Sequence, residues 1–231
     1  MDELHRTSAA LHAANLAALQ GVLALAGGWP FERGDGWVAA EAGSTSRFFS
    51  SCVITDERCQ PADPRPTVWL GSGRQTVWDH WGRPAVGDTR SPVLMRREPG
   101  PLPADDRVVV ARTTDELRDA EQALRGGLEA PRLSGVLHGG LLSEQVACAY
   151  DRNLLSCSVA FDDGATVGVY LVGTATAARG QGLGGAVTAA CLAALAPRPA
   201  LLTATELGRP VYERLGFRAV GRSTMVLHGV P

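Results

Sequence analysis

Leu171-Val-Gly-Thr-Ala-Thr-Ala-Ala-Arg-Gly-Gln-Gly-Leu-Gly-Gly-Ala-Val-Thr-Ala-Ala-Cys-Leu-Ala-Ala-Leu195 decides how this chain is read. Before it, Ala165 to Val172 is β-branched and aromatic enough for a strand. After the glycines comes an apolar helix of about three turns that must end before Pro197. Glycines at 180, 182, 184 and 185 remove Cβ atoms where backbone would approach an anion, and the following helix points its free N–H groups at the same place. Composition alone predicts about 0.3 occurrences of Arg-x-x-Gly-x-Gly in a chain with 27 glycines and 22 basic residues, all arginine. The flanking strand and helix therefore carry the reading of a phosphate cradle over that of an ordinary glycine turn.

Absences exclude the common nucleotide motifs. There is no lysine, so neither a Walker A loop nor a lysine Schiff base is available. A dinucleotide fingerprint fails on spacing, and Arg198-Pro199-Ala200-Leu201 stands where its acidic residue is wanted.

Arg179-Gly180-Gln181-Gly182-Leu183-Gly184 resembles motif A of the GNAT superfamily of acyl-CoA N-acyltransferases. A second motif, Gly208-Arg-Pro-Val-Tyr-Glu-Arg-Leu-Gly-Phe217, is similar to that superfamily's closing helix with Tyr-x-x-Leu-Gly-Phe, and the strand Ala200 to Thr205 lies between the two. The resemblance covers about residues 107 to 231. It implies an α/β fold with a mixed sheet, and the elements fit. Arg107 to Arg112 is a strand, Thr114 and Asp115 cap a helix through Leu124, Gly126-Gly127 ends it, and Leu133 to Glu144 is a second helix. Strands at Gln145 to Tyr150, Leu154 to Phe161 and Thr166 to Val172 are joined by Asp151-Arg152-Asn153 and Asp162-Asp163-Gly164.

The first hundred residues contain an echo of the closing motif. Val77 to Gly87 matches Val211 to Gly221 at Val77/Val211, Gly82/Gly216, Ala85/Ala219, Val86/Val220 and Gly87/Gly221. Pro66 to Leu70 then supplies the strand before the repeated helix, and Phe48 to Thr55 the strand before a cradle that is missing. Asp56 to Pro66 has neither the glycines nor the length for one. The expected organisation is a degenerate GNAT-like half at residues 1–98, a Pro-rich linker at 99–106, and an acyl-CoA-binding half at 107–231. The first half either walls an acceptor cleft or extends the sheet, or simply covers apolar surface.

Composition bounds the remaining possibilities. Net charge −2 offers no basic field for nucleic acid, and 231 residues at 45% hydrophobic can bury one substantial core or two small ones. Met1 to Gly28 begins Asp-Glu and carries His5, Arg6, His12, Asn15 and Gln20, so an amphipathic helix is expected there and neither a signal peptide nor a membrane span. Five cysteines without Cys-x-x-Cys spacing read as reduced packing residues of a cytoplasmic protein, with no metal site.

The resemblance also implies roles. Acetyl-CoA or another acyl-CoA is the donor, and the acceptor is the amine of a small molecule; the protein acts as monomer or homodimer. Arg179, Gly180, Gln181, Gly182, Leu183, Gly184 and Gly185 would hold the pyrophosphate, and Val172, Gly173 and Thr174 the pantetheine arm. Tyr212 stands at the general-acid position, and a phenol suits the task because it is still protonated near neutral pH. Thr205 replaces a frequent cofactor-contacting Asn. Relatives place a base where this chain has Tyr170 or Ala200, which leaves Glu206, His138 or a relayed water. Other readings keep the fold but use a carrier-protein thioester or a hydroxyl acceptor, or make the chain a non-catalytic acyl-CoA sensor.

Overall fold

A computed structural model describes residues 1–42, 50–64, 66, 75–128 and 141–228. The chain divides into two compact units: residues 1–95, 203–207 and 219–231, and residues 96–202 and 208–218. This differs from a single cut near residue 98, because the last stretch of the chain clusters with the first unit. The expected strand over Pro66 to Leu70 and the helix over Leu133 to Glu144 lie largely outside the described residues. Of that helix, 141–144 are described: Leu141 is in 3-10 conformation and 142–144 are not helical, Ser143 forming a bridge to Val146.

The first unit opens with α1, Glu3–Gly27, capped by the Asp2 side chain on the His5 N–H and closed by Gly28 in the left-handed region. Its length and hydropathy would suffice to cross a membrane. Its buried residues nevertheless include Ser8, His12, Asn15 and Gln20, and Gln20 Nε2 donates to Ser51 Oγ at 2.8 Å. The expected simple amphipathic pattern is thus absent, the covered side being partly polar. Strands β1 (Phe31–Gly34), β2 (Trp37–Ala40), β3 (Ser51–Ile54), β4 (Gln75–Asp79) and β5 (Asp88–Arg90) follow. They form a six-stranded sheet, β1-β2-β3-β4-β13-β5, whose fifth member β13 is Thr224–His228 near the C-terminus. Only β3 and β4 run parallel among the registered pairs.

One sequence expectation fails here. Val77 matches Val211 in sequence, yet Val77 lies in strand β4, paired with Val226, and Val211 lies in a helix, α4 (Arg209–Arg214). Pro210 at the first turn presets helical φ in the one case, while Gln-Thr-Val-Trp suits the pleat in the other. The correspondence survives at the turn, where Gly82 and Gly216 both have positive φ, +68° and +87°.

The remaining elements are β6 (Val93–Arg97), β7 (Val108–Val110), α2 (Thr114–Gly127), β8 (Val146–Asp151), β9 (Ser156–Asp162), β10 (Val167–Thr174), α3 (Leu183–Ala193), β11 (Ala200–Ala204) and β12 (Arg218–Arg222). The seven-stranded sheet has the order β12-β6-β11-β10-β9-β8-β7. Its β8 and β9 are buried along their whole length, so both faces are covered, and α2 and α3 pack on them. Helix α2 is capped by Thr113, one residue earlier than expected, in a capping box with Glu116. The β8–β9 turn is longer than expected: buried Asp151 accepts from the N–H groups of Asn153, Leu155 and Ser156, and Leu154 has φ +59°. All five cysteines are buried and unbridged, as the packing reading expects. Burial pushes the Cys191 thiol up to about 12, leaving it inert.

Candidate functional site

Strand β10 is where the second unit departs from regular pleating. Its antiparallel ladder with β9 runs to Tyr170↔Val159 and resumes at Gly173↔Cys157, so one extra residue is accommodated on β10. Leu171 takes up the strain with φ +53°. On the other side, the parallel ladder to β11 holds only at Val167↔Ala200 and Gly168↔Leu201. Along Val172, Gly173 and Thr174, β10 therefore has no registered strand partner on that side among the described residues. Val172 and Thr174 are half-buried, and Gly173 is buried.

Three contacts fix this edge, none visible in the sequence. Gly173 abuts Gly127 at the end of α2: a Cβ on Gly173 would stand 2.7 Å from the Gly127 carbonyl carbon, and one on Gly127 would stand 2.6 Å from that of Gly173. Ser156, fully buried in β9, donates from Oγ to Gly173 O at 3.0 Å, and its Oγ lies 2.8 Å from Thr174 Oγ1. Arg179 Nε donates to Thr174 O at 3.3 Å, so this arginine caps a carbonyl of the edge.

The glycine loop follows after a single 3-10 turn, Thr176–Ala178. Gly180 and Gly182 have φ of +82° and +80°, and a Cβ on either would meet nothing within 4 Å. Glycine is required there by backbone conformation, and the space beside it is open. Gly182 is the N-cap of α3 and no side chain caps the helix, which leaves the N–H groups of Leu183, Gly184 and Gly185 available to an anion. At Gly184 a Cβ would press on Thr174 Oγ1 at 3.2 Å, and at Gly185 it would touch Val211 at 3.6 Å. Gln181 is exposed, whereas Leu183 is buried and presents only its backbone to the loop. Arg107, gripped by Asp105, donates from Nη1 to Gln181 O at 3.3 Å and braces the loop. Sequence reading missed this brace, because 74 residues separate the partners.

Tyr212 sits in α4, 9% exposed. Burial pushes its phenol up to about 12, so it stays protonated over the whole neutral range. Glu206, the other expected catalytic residue, is exposed in the first unit and ion-paired with Arg222. His138 lies outside the described residues. Among the described residues no group of His, Cys, Asp and Glu could hold a metal ion. A cavity of about 290 Å³ is lined by Val167, Ala200 and the C-terminal end of α3, at the opposite end of β10 from the loop.

Sheet, bulged strand, glycine loop and helix together define the GNAT fold, and solved structures share it. A GCN5-related N-acetyltransferase from Kribbella flavida superposes with TM-score 0.60 at 17% identity, covering 94% of this chain and 94% of that one. A GNAT-family protein from Novosphingobium aromaticivorans gives TM-score 0.59 at 18% identity, over 94% of this chain and 97% of that one. A conserved protein of unknown function from Staphylococcus epidermidis gives 0.55 at 12% identity, over 85% and 92%. At these identities the likeness is one of fold. No family model matches the chain, and no curated protein matches it by sequence.

Proposed function

We propose that the second unit binds an acyl-CoA and transfers its acyl group, acetyl or another short chain, to the amine of a small molecule. The observation that carries this reading is the uncapped N-terminus of α3, set behind two left-handed glycines at the end of a bulged strand that, at Val172 to Thr174, has no registered partner on its β11 side among the described residues. Backbone N–H groups at 183–185 suit a pyrophosphate, and the edge at Val172 to Thr174 suits an extended amide-bearing arm.

In the transfer, the amine nitrogen attacks the thioester carbonyl, a C–N bond forms and the C–S bond breaks. Tyr212 protonates the departing thiolate, for which its raised pKa fits. The proton leaving the amine passes to water.

We read the first unit as a degenerate copy of the same fold that carries no cofactor loop. What supports this is strand order: β1-β2-β3-β4-β13-β5 has the same sequence of roles as β8-β9-β10-β11-β6-β12. In both, the parallel pair is third and fourth, and the fifth place goes to the strand that closes the other run. On this reading residues 99–106 link two halves of a cytoplasmic enzyme that binds one acyl-CoA per chain, without nucleic acid or membrane as partner.

Calorimetric titration with CoA tests the reading, with one site per chain expected. Thiol release from acetyl-CoA is then followed across a panel of small amines. A chain that binds CoA but acylates no amine would leave the sensor reading in its place, and a chain that does not bind CoA ends both.

A further inference from the structure

We infer that Ser156, on β9, is a positioning residue that sets the Thr174 hydroxyl as an acceptor for an N–H of the donor's amide arm. The inference rests on the acyl-CoA reading of the loop and deepens it. Ser156 has one hydroxyl proton and two oxygen neighbours, Gly173 O at 3.0 Å and Thr174 Oγ1 at 2.8 Å. A carbonyl can only accept, whereas a hydroxyl can donate or accept. Both contacts are hydrogen bonds only if Ser156 donates to Gly173 O and Thr174 donates to Ser156. The order Thr174 Oγ1–H to Ser156 Oγ–H to Gly173 O is thereby fixed.

Two consequences follow for a ligand. The Thr174 proton is already spent, so what remains at its oxygen is lone pairs, which recognise an N–H and not a carbonyl. The relay also holds Gly173 O from behind, at the point where β10 resumes its register after the bulge. Ser156 is 0% exposed, so it touches no ligand and acts only through its two neighbours. Gly184 belongs to the same device, since a Cβ there would stand 3.2 Å from Thr174 Oγ1 and crowd the hydroxyl. The third glycine of the loop thus serves the strand edge as well as the helix start.

Ser156→Ala removes the relay without adding volume. Binding of CoA and of 3′-phosphoadenosine 5′-diphosphate, the same nucleotide and pyrophosphate without the amide arm, is measured by calorimetry for the natural chain, Ser156→Ala and Thr174→Val. Both variants are expected to weaken CoA by about tenfold, the loss of roughly one hydrogen bond, and to leave the arm-less nucleotide within about twofold of the natural chain. Equal weakening of both ligands would make Ser156 a general structural residue and overturn the inference, as would no change in CoA binding. If the natural chain binds the arm-less nucleotide but gains nothing from the arm, the inference fails while the phosphate reading stands. If it binds neither ligand, the loop reading itself fails and takes the inference with it.

Discussion

The backbone N–H of Phe217 donates to the carbonyl of Tyr212 at 3.0 Å, and that of Gly216 to the carbonyl of Glu213 at 3.0 Å. With Gly216 at φ +87° and the Phe217 ring edge-on to Tyr212 at 6.0 Å, this is a Schellman closure of α4. The Tyr-x-x-Leu-Gly-Phe motif is therefore a helix stop that fixes the ring of Tyr212. A further carbonyl at this helix end, Leu215 O, accepts from the buried Arg97 Nε at 2.7 Å, and the same guanidinium holds the carbonyls of Glu98, Gly100 and Pro101.

Gly216→Ala tests that stop. A Cβ would come no nearer than 3.7 Å to a neighbour, so the cost is in the backbone. It is expected to be about 1–2 kcal/mol for a left-handed non-glycine residue. Urea unfolding measures it, and an unchanged midpoint would refute the closure.

The loop and strand glycines should separate by mechanism. Gly182→Ala meets only the left-handed penalty, about 1–2 kcal/mol, and folds. Gly173→Ala drives a Cβ to 2.7 Å from the Gly127 carbonyl carbon and is expected to cost about 3 kcal/mol, the upper range for overpacking. Thermal melts of the two variants give the comparison; equal losses would contradict the close approach of α2 to β10.

Tyr212→Phe is expected to lower kcat by about 100-fold, the lower end for a lost general acid, with KM for acetyl-CoA little changed. Because burial raises the phenol to about 12, its protonated form persists as pH rises, and no loss of activity due to Tyr212 is expected below about pH 10. A pH–rate profile of the natural chain checks the second statement. A basic limb near pH 9 that vanishes in the variant would show a less buried phenol.

The first unit should weaken in acid through a buried histidine pair. The rings of His12 and His80 lie 4.4 Å apart, and His80 Nδ1 is 3.1 Å from Ser223 Oγ. Burial lowers His12 to about 3 and holds His80 well below its ordinary value, with the neighbouring His12 adding to the effect. Folded-state values below the unfolded value of about 6.5 mean that the unfolded chain binds more protons as pH falls through 6.5. This contribution to stability is complete above about 6.5 and is lost going down toward 3, at up to about 1.4 kcal/mol per pH unit for each histidine. Urea midpoints between pH 4.5 and 8 should show the slope, and His12→Leu should reduce it. An identical slope in the variant would assign the acid loss to carboxylates instead.

Much of the second unit is legible in the sequence because its signals are local. Gly180 and Gly182 need left-handed φ that only glycine adopts freely, and Gly216 stops a helix within one turn of Tyr212. The strands from Val146 to Thr174 announce themselves by β-branched residues and by turns at Asp151 and Gly164. The five matches between Val77–Gly87 and Val211–Gly221 do not share one conformation, Val77 being in a strand and Val211 in a helix. Identity at Gly82 and Gly216 reported a shared turn, while Val77 took its strand from β3 and β13 beside it.

By itself, the sequence determined that there is a glycine loop between a strand and an apolar helix, that a second motif closes the chain's last helix, and that no lysine-based chemistry is available. Tertiary structure alone decided that β13 takes its place between β4 and β5, that Gly127 meets Gly173 backbone to backbone, and that Ser156 directs the hydroxyl of Thr174. The physical reason is range: φ preferences and helix caps act over four or five residues and are written there. Strand partners and hydroxyl orientation depend on groups up to about 150 positions apart in the chain, which no local pattern records.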